Sequence, residues 1–148
     1  MTREEIIEEL SRYFSVEELV CKHTLQRHGE RAWQFLSSSY LETLLIVRRD
    51  ILGVPMTCNH SQATQRGLRC NMCDIVKGAS RNYLSAHVLG CGGDFTVDGM
   101  SAARARELIK ERQELLPCAV RVEGGVTWLH LDTLPQWGVD AKVYEFKA

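Results

Sequence analysis

The sequence lacks the features of several large classes of protein. No apolar run reaches the roughly 18 residues that a membrane-spanning helix needs. The formal net charge is only -1, so there is no overall basic field to support nucleic-acid binding. Internal repeats, low-complexity segments and Pro/Gly-rich linkers are also absent. We therefore expect neither a membrane nor a nucleic acid among the partners of this protein.

Signatures of several other functions are missing as well. The chain has no Gly-x-Ser-x-Gly elbow of a serine hydrolase and no phosphate-binding glycine loop. The N-terminal segment, residues 1–9, is acidic and polar and has no signal-peptide apolar segment. We therefore expect synthesis in a cytoplasm, where the six cysteines stay reduced rather than forming disulfides.

What remains is the composition of an ordinary globular domain. The chain has 148 residues, of which 45% are apolar and 25% charged. At this length a chain buries roughly two thirds of its unfolded surface, so neither a disulfide nor a metal is needed merely to fold. We expect one domain over residues 1–148, and a monomer.

Hydrophobic periodicity places helices first and a small sheet after them. Stripes of apolar residues predict a helix over residues 3–13, a short helix after Ser15, the longest helix over 31–51 and another over 102–115. Strands are predicted near 93–97, 118–123, 126–132 and 142–146. Gly124-Gly125 predicts a two-residue hairpin. The pattern indicates an α+β fold with N-terminal helices packed on a small antiparallel sheet.

Two segments carry the strongest chemical signal, SAHVLGCGGD at residues 85–94 and WLHLD at residues 128–132. A catalytic zinc takes about three nitrogen or oxygen ligands and keeps one position open for water. His87, Asp94 and His130 supply such a set. Spacing alone leaves a second interpretation open, in which both histidines are polar core residues of a zinc-free structural protein.

The first segment resembles a known zinc-binding signature. It is similar to the Ser-x-His-x-x-Gly-x-Ala-x-Asp pattern of the zinc D-alanyl-D-alanine peptidase family, which shares the hedgehog-type fold with phage L-alanyl-D-glutamate endolysins. Ser85, His87, Gly90 and Asp94 match the pattern, and Gly92 replaces the alanine.

Further matches follow in the family's order and spacing. The second segment resembles the closing aromatic-x-His-x-Asp strand, matched by Trp128, His130 and Asp132. Residues 67–69, Gly-Leu-Arg, are similar to the Gly-Tyr-Arg that precedes the zinc loop in many relatives. Residues 14–21 and the Leu-Gly-x-Pro at 52–55 look like the phage-type branch, so the resemblance covers nearly the whole chain.

The resemblance implies a role for each matching residue. His87, Asp94 and His130 are the expected ligands of one catalytic Zn²⁺. Arg69 is the expected partner of the substrate carboxylate or of the carbonyl oxygen, although the neighbouring Arg66 is an alternative. Ser85 and Trp128 are expected to contact substrate.

The sequence offers two candidates for the general base. Many relatives place a glutamate three residues before the last histidine ligand, where this chain has Thr127. Asp132 lies on the same strand face as His130 and is either the base or a carboxylate that orients His130. Glu123 is the other candidate, although the predicted two-residue hairpin places it roughly 13 Å from His130.

The cysteines offer a further set of metal ligands. Cys70 and Cys73 form a CxxC pair, which together with Cys58 and His60 makes a candidate structural zinc site. The spacing of Cys58 and His60 is not that of a standard zinc knuckle, so we do not expect this site to form. Cys91 lies within the expected zinc loop, and Cys21 and Cys118 are expected to pack in the core.

The function that the resemblance implies is a zinc metallopeptidase, a hydrolase that cuts bacterial peptidoglycan stem or cross-link peptides. Either a D-Ala-D-Ala carboxypeptidase or a phage endolysin fits, and an endolysin acts on the cell wall after synthesis in the cytoplasm. The alternative is a zinc-containing hedgehog-type binding module without peptidase activity, which Thr127 favours.

Overall fold

The computed structural model describes residues 1–148 and has an α+β fold. Six α-helices occur in chain order: α1 Arg3–Leu10, α2 Val16–Leu19, α3 Lys22–His28, α4 Ser38–Ile46, α5 Asp74–Lys77 and α6 Ala102–Glu111. Five strands form one sheet: β1 Met56–Thr57, β2 Gly92–Val97, β3 Val120–Glu123, β4 Leu129–Asp132 and β5 Val143–Phe146. None of the helices combines the length and apolar character needed to cross a membrane.

Side-chain caps start the helices where the sequence predicts them. Thr2 and Ser15 each accept a hydrogen bond from the backbone N–H of a glutamate three residues on, and each glutamate bonds back to the capping residue. Such a capping box satisfies N–H groups that a helix otherwise leaves free at its N-terminus. Ser101 caps α6 in a similar way, through the backbone N–H of Arg104. The starts of α1, α2 and α6 are therefore confirmed.

The long helix predicted over residues 31–51 is wrong as a single element. A 3₁₀ segment, Gly29–Phe35, ends at Leu36, whose backbone is extended. Ser37 then caps α4, and the last turns, Val47–Leu52, are π-helical. The apolar stripe continues through the break because the residues on both sides pack into the same core. Hydrophobic periodicity predicts which face of a helix is buried, but it does not predict where the helix is interrupted.

The sheet is mixed, with the strand order β1-β2-β4-β3-β5. The first four strands in this order pair antiparallel, whereas β5 lies parallel to β3 on the far edge. The prediction of a purely antiparallel sheet is therefore wrong at β5. β4 ends at the same end of the sheet where β3 begins, because Asp132 pairs with Arg121. The ten residues that follow cross to the other edge of β3 at that end, so β5 runs in the direction of β3.

The connection between β3 and β4 also differs from the prediction. Five residues, 124–128, join the strands, so Gly124-Gly125 does not form a two-residue hairpin. Arg121 pairs with Asp132, and Val122 pairs with Leu131. Continuing this register by one residue places Glu123 opposite His130. Residues that face each other across antiparallel strands have Cβ atoms only about 5 Å apart.

Alternation along the strands separates an apolar face from a polar face. One face packs against the helices in a single cluster of buried apolar residues that includes Phe95, Leu129 and Leu131. The opposite face carries the chemically active side chains of β2, β3 and β4, because successive strand residues point to opposite sides. The helices thus pack on the apolar face of the sheet and leave its polar face available for a site.

Candidate metal centre

Strand register brings two of the predicted ligands together. Asp94 on β2 is the direct partner of His130 on β4. His87 comes from a turn at residues 86–90 that precedes β2. Gly90 ends this turn with φ +70°, and a Cβ there would lie 1.9 Å from the Phe35 carbonyl oxygen. Only glycine allows both the left-handed backbone and this close approach.

The ligand atoms of His87, Asp94 and His130 all lie within 4.8 Å of one another. His130 Nδ1 is 2.7 Å from Asp94 Oδ1. His87 Nε2 is 3.3 Å from Asp94 Oδ2. One nitrogen of each imidazole therefore points at the same carboxylate, and both histidines are buried. This group of residues, which we call the His/Asp cluster, could hold a metal ion.

The remaining nitrogen of each histidine is held by an oxygen acceptor. His87 Nδ1 donates to the Gly67 carbonyl oxygen at 2.9 Å. His130 Nε2 donates to Asp132 Oδ2 at 2.6 Å. Metal-binding histidines usually donate their second N–H in this way, which sets the tautomer and the orientation of the ring.

Charge within the cluster is balanced by these contacts. Burial opposes ionisation of Asp94, but hydrogen bonds with His130 and His87 outweigh it and hold the pKa of the carboxyl below its usual range. Burial likewise disfavours the charged form of His130, yet its hydrogen bonds to Asp132 and Asp94 raise its pKa to about 9. These contacts favour the protonated form of His130, which lies between two carboxylates.

Asp132 is fully buried, with 0% of its surface exposed. Its two oxygens accept a bidentate pair of hydrogen bonds from Arg121, each 2.9 Å long. They also accept from His130 and from the backbone N–H of Leu134. Of the two roles that the sequence leaves open for Asp132, this geometry favours orientation of His130, because both oxygens are already engaged.

Arg69 enters the site, and Arg66 does not. Arg69 Nη2 lies 3.7 Å from Asp94 Oδ2, and its Nη1 donates to the Tyr83 hydroxyl at 2.7 Å. Arg66 instead donates to backbone carbonyls, the better of which is that of Cys58 at 3.1 Å. Tyr83 is a site residue that the sequence did not indicate, because nothing in its surroundings matches a motif.

A cleft of about 450 Å³ opens over the His/Asp cluster. Glu123, Ser85 and Trp128 line it, as does Arg69. The Ser85 hydroxyl is buried and has no hydrogen-bond partner within the protein. Thr127 lies in the loop between β3 and β4 and does not line the cleft. The structure therefore brings the three predicted ligands and Arg69, Ser85, Glu123 and Trp128 to one cleft. Asp132 does not line the cleft, but it contacts His130, which does.

A second group that could hold a metal lies elsewhere, and its membership differs from the prediction. The CxxC pair is joined by Cys21 and His23 rather than by Cys58 and His60. Cys58 is fully buried in the core, and burial raises the pKa of its thiol to about 12. His60 instead accepts a hydrogen bond from the backbone N–H of Gln62. A Cys-x-His pair at 21–23 is visible in the sequence, but only the fold reveals that it meets the CxxC pair.

Comparisons with protein-family models, curated proteins and solved structures found no match.

Proposed function

We propose that this chain is a zinc metallopeptidase that hydrolyses a peptide bond in bacterial peptidoglycan. The observation that carries the proposal is the convergence of His87, Asp94 and His130 on one point beside an open cleft. We infer a hedgehog/DD-peptidase-type fold from the order of the motifs on this sheet. The resemblance to phage endolysins makes cell-wall peptide the expected substrate class.

The donor set of the His/Asp cluster fits zinc. Two imidazole nitrogens and one carboxylate match the three protein ligands of a catalytic zinc site, whose fourth position faces the substrate. The second nitrogen of each imidazole already has an acceptor, so the rings are oriented before a metal binds. On metal binding, His130 Nδ1 would release the proton that it shares with Asp94.

The zinc ion, when bound, would polarise the scissile carbonyl and make its water a stronger acid. A carboxylate is then needed to accept the proton of the water and pass it to the leaving amine. We assign this role to Glu123. It lines the same cleft as His130, and it is the next residue of β3 after the pair Val122–Leu131, a step that would set it opposite His130. In this proposal Glu123, on the strand beside β4, supplies the carboxylate that Thr127 cannot supply.

Asp132 acts as a positioning residue in this proposal. Its carboxylate accepts from His130 Nε2 and is itself held by Arg121. Carboxylates in this position raise the basicity of the histidine ligand and fix its ring. A group with no exposed surface is poorly placed to exchange protons with a substrate.

Substrate binding is assigned to the rim of the cleft. Arg69 presents a guanidinium that suits a carboxylate or the developing charge on a carbonyl oxygen. The Ser85 hydroxyl has no partner within the protein and is available for a substrate polar group. Trp128 is 39% exposed and offers an apolar wall.

The test combines metal analysis with a cleavage assay. The wild-type protein and His87→Ala are purified, their zinc content is measured, and each is incubated with purified peptidoglycan and with synthetic stem peptides. We expect His87→Ala to contain one zinc per chain fewer than wild type and to release no new amino groups. Cys118→Ala, which changes a residue outside both clusters, is the matched control and should behave like wild type.

Two results would contradict the proposal in different ways. If wild type and His87→Ala contain the same zinc after metal is supplied, the His/Asp cluster is not a metal site. If the wild type loses zinc on mutation of His87 but cuts none of the substrates, the domain is a zinc-containing binding module instead of a peptidase.

A further inference from the structure

Four side chains with soft metal-ligand atoms meet at the start of α3. Cys21 and His23 come from the junction of α2 and α3, and Cys70 and Cys73 come from the loop before α5. We call these four residues the Cys/His cluster. Their ligand atoms all lie within 4.8 Å of one another.

The distances within the Cys/His cluster match those of a tetrahedral zinc site. His23 Nδ1 is 3.6 Å from Cys70 Sγ and 3.8 Å from Cys73 Sγ. The two sulfurs are 4.0 Å apart. Zinc bonds of about 2.3 Å to sulfur and about 2.0 Å to nitrogen give a sulfur–sulfur edge of about 3.8 Å and a sulfur–nitrogen edge of about 3.5 Å in a tetrahedron. We propose that Cys21, His23, Cys70 and Cys73 bind a second, structural zinc ion.

The composition and burial of the cluster favour a structural role over a catalytic one. Three thiolates and one imidazole complete a four-coordinate shell and leave no position for water. Cys21 and Cys73 are each only 1% exposed. The backbone N–H of Met72 donates to Cys70 Sγ at 3.4 Å, a contact that stabilises sulfur as a thiolate. Binding would release the thiol protons to solvent.

A simple dithiol pair does not account for the same arrangement. A disulfide or redox exchange at a CxxC pair requires only its own two cysteines. Here a third cysteine and a histidine, about fifty residues earlier in the chain, turn towards the same two sulfurs. Four convergent ligands are what a metal requires.

The Cys/His cluster joins two parts of the chain that backbone contacts already hold together. Val20 and Leu68 form a parallel bridge, and the Leu68 N–H donates to the Leu19 carbonyl oxygen at 2.9 Å. Beyond these contacts, residues 70–84 contain only one short helix and contribute little to the apolar core. A zinc ion would tie this poorly packed segment to the start of α3.

The residues just before this segment contact the His/Asp cluster. The Arg66 carbonyl oxygen accepts from the Asp94 N–H at 2.8 Å, and the Arg69 N–H donates to the His87 carbonyl oxygen at 3.1 Å. Arg69 is next in sequence to Cys70. A zinc ion in the Cys/His cluster would therefore also hold Arg69 in position, and this consequence rests on the proposed function whereas the metal site itself does not.

Cobalt(II) can distinguish the two clusters, because only thiolate ligands give intense sulfur-to-cobalt charge-transfer absorption in the near ultraviolet. The full-length protein is purified with a reductant, stripped of metal and titrated with Co²⁺ alone. We expect the thiolate band of wild type to saturate after one equivalent of thiolate-bound cobalt, and we expect a band of equal intensity in His87→Ala. Subsequent Zn²⁺ should abolish the band by displacing cobalt.

Variants of His23 sharpen the test. His23→Ala should lose the thiolate band or weaken cobalt binding by at least about 10-fold, as loss of one ligand predicts. His23→Cys should retain tight binding, since four cysteines also form a structural zinc set. Cys118→Ala is the control and should keep the wild-type band. Removal of zinc from His87→Ala, in which only the Cys/His cluster is intact, should lower the Tm on the order of 10 °C.

The proposal is overturned if reduced wild type shows no thiolate–cobalt band, or if the band is unchanged in His23→Ala and in Cys70→Ser. A Cys70–Cys73 disulfide that persists under reductant would overturn it as well. None of these results depends on His87. The peptidase proposal is tested by the zinc that His87→Ala loses, so the two proposals can fail separately.

Discussion

The two clusters differ in both their ligands and their supports. The His/Asp cluster offers nitrogen and oxygen ligands, rests on paired strands and faces an open cleft. The Cys/His cluster offers mainly sulfur, lies where a helix start meets a loop, and has two of its four side chains almost wholly buried. An open set of harder ligands suits catalysis by a metal, whereas a closed set of thiolates suits a structural metal.

The two clusters also differ in how the backbone around them positions their ligands. The strands position Asp94 and His130 through backbone pairing that needs no metal. The loop of the Cys/His cluster has few such constraints, so its geometry depends on the ligands themselves. We therefore expect changes at the His/Asp cluster to alter activity more than folding, and changes at the Cys/His cluster to alter folding more than activity.

The largest effect is expected from Glu123→Gln. The amide keeps the size of the side chain but cannot accept the proton of the water, so the cleavage rate should fall roughly 10²- to 10⁴-fold while zinc content is unchanged. Peptide release and bound zinc are measured on the same preparation. Glu114→Gln, on the exposed 3₁₀ segment after α6, is the control. Full activity in Glu123→Gln would exclude Glu123 as the general base.

A smaller effect, on metal affinity, is expected from Asp132→Asn. The amide cannot hold His130 Nε2–H and the Arg121 guanidinium as a carboxylate does, so zinc affinity of the His/Asp cluster should fall roughly 10- to 100-fold. Competition with a chelator measures the affinity, and activity should return when zinc is added in excess. If zinc affinity is unchanged and activity is lost even with excess zinc, Asp132 acts directly in the reaction.

The neighbouring arginines separate substrate binding from structure. Arg69→Ala should raise KM roughly 10- to 100-fold, the effect of losing a hydrogen bond to a charged group, with a smaller change in kcat. Arg66→Ala, which removes contacts to backbone carbonyls only, should leave KM near the wild-type value. Equal KM values in the two variants would show that Arg69 does not contact substrate.

The smallest effect, on stability, is expected at Gly67, which lies between the residues of the two clusters. A Cβ on Gly67 would lie 2.3 Å from the Leu19 carbonyl oxygen, so Gly67→Ala should push the backbone at this position away and cost about 1–3 kcal/mol of stability. Thermal unfolding should show a Tm lower by several degrees. Gly78→Ala, where the nearest atom is 3.1 Å away, should shift the Tm less. A Tm shift in Gly67→Ala no larger than that of Gly78→Ala would show that the contact with Leu19 is loose.

Local signals explain which parts of the fold could be predicted. Thr2, Ser15 and Ser101 start helices through contacts made within three residues, so the sequence suffices to find them. Gly53 ends the π-helical segment with φ +66°, which glycine adopts without strain. The break at Leu36 leaves no such signal, because the apolar stripe continues across it.

The sequence by itself determined the α+β class and the candidate ligands His87, Asp94 and His130, since these depend on periodicity and on motif order. Only the tertiary structure decided the parallel placement of β5, the position of Glu123 in the same cleft as His130, and the meeting of Cys21 and His23 with the CxxC pair. The physical reason is that each of these depends on contacts between distant parts of the chain. Loop length and strand register set those contacts, and neither leaves a local pattern.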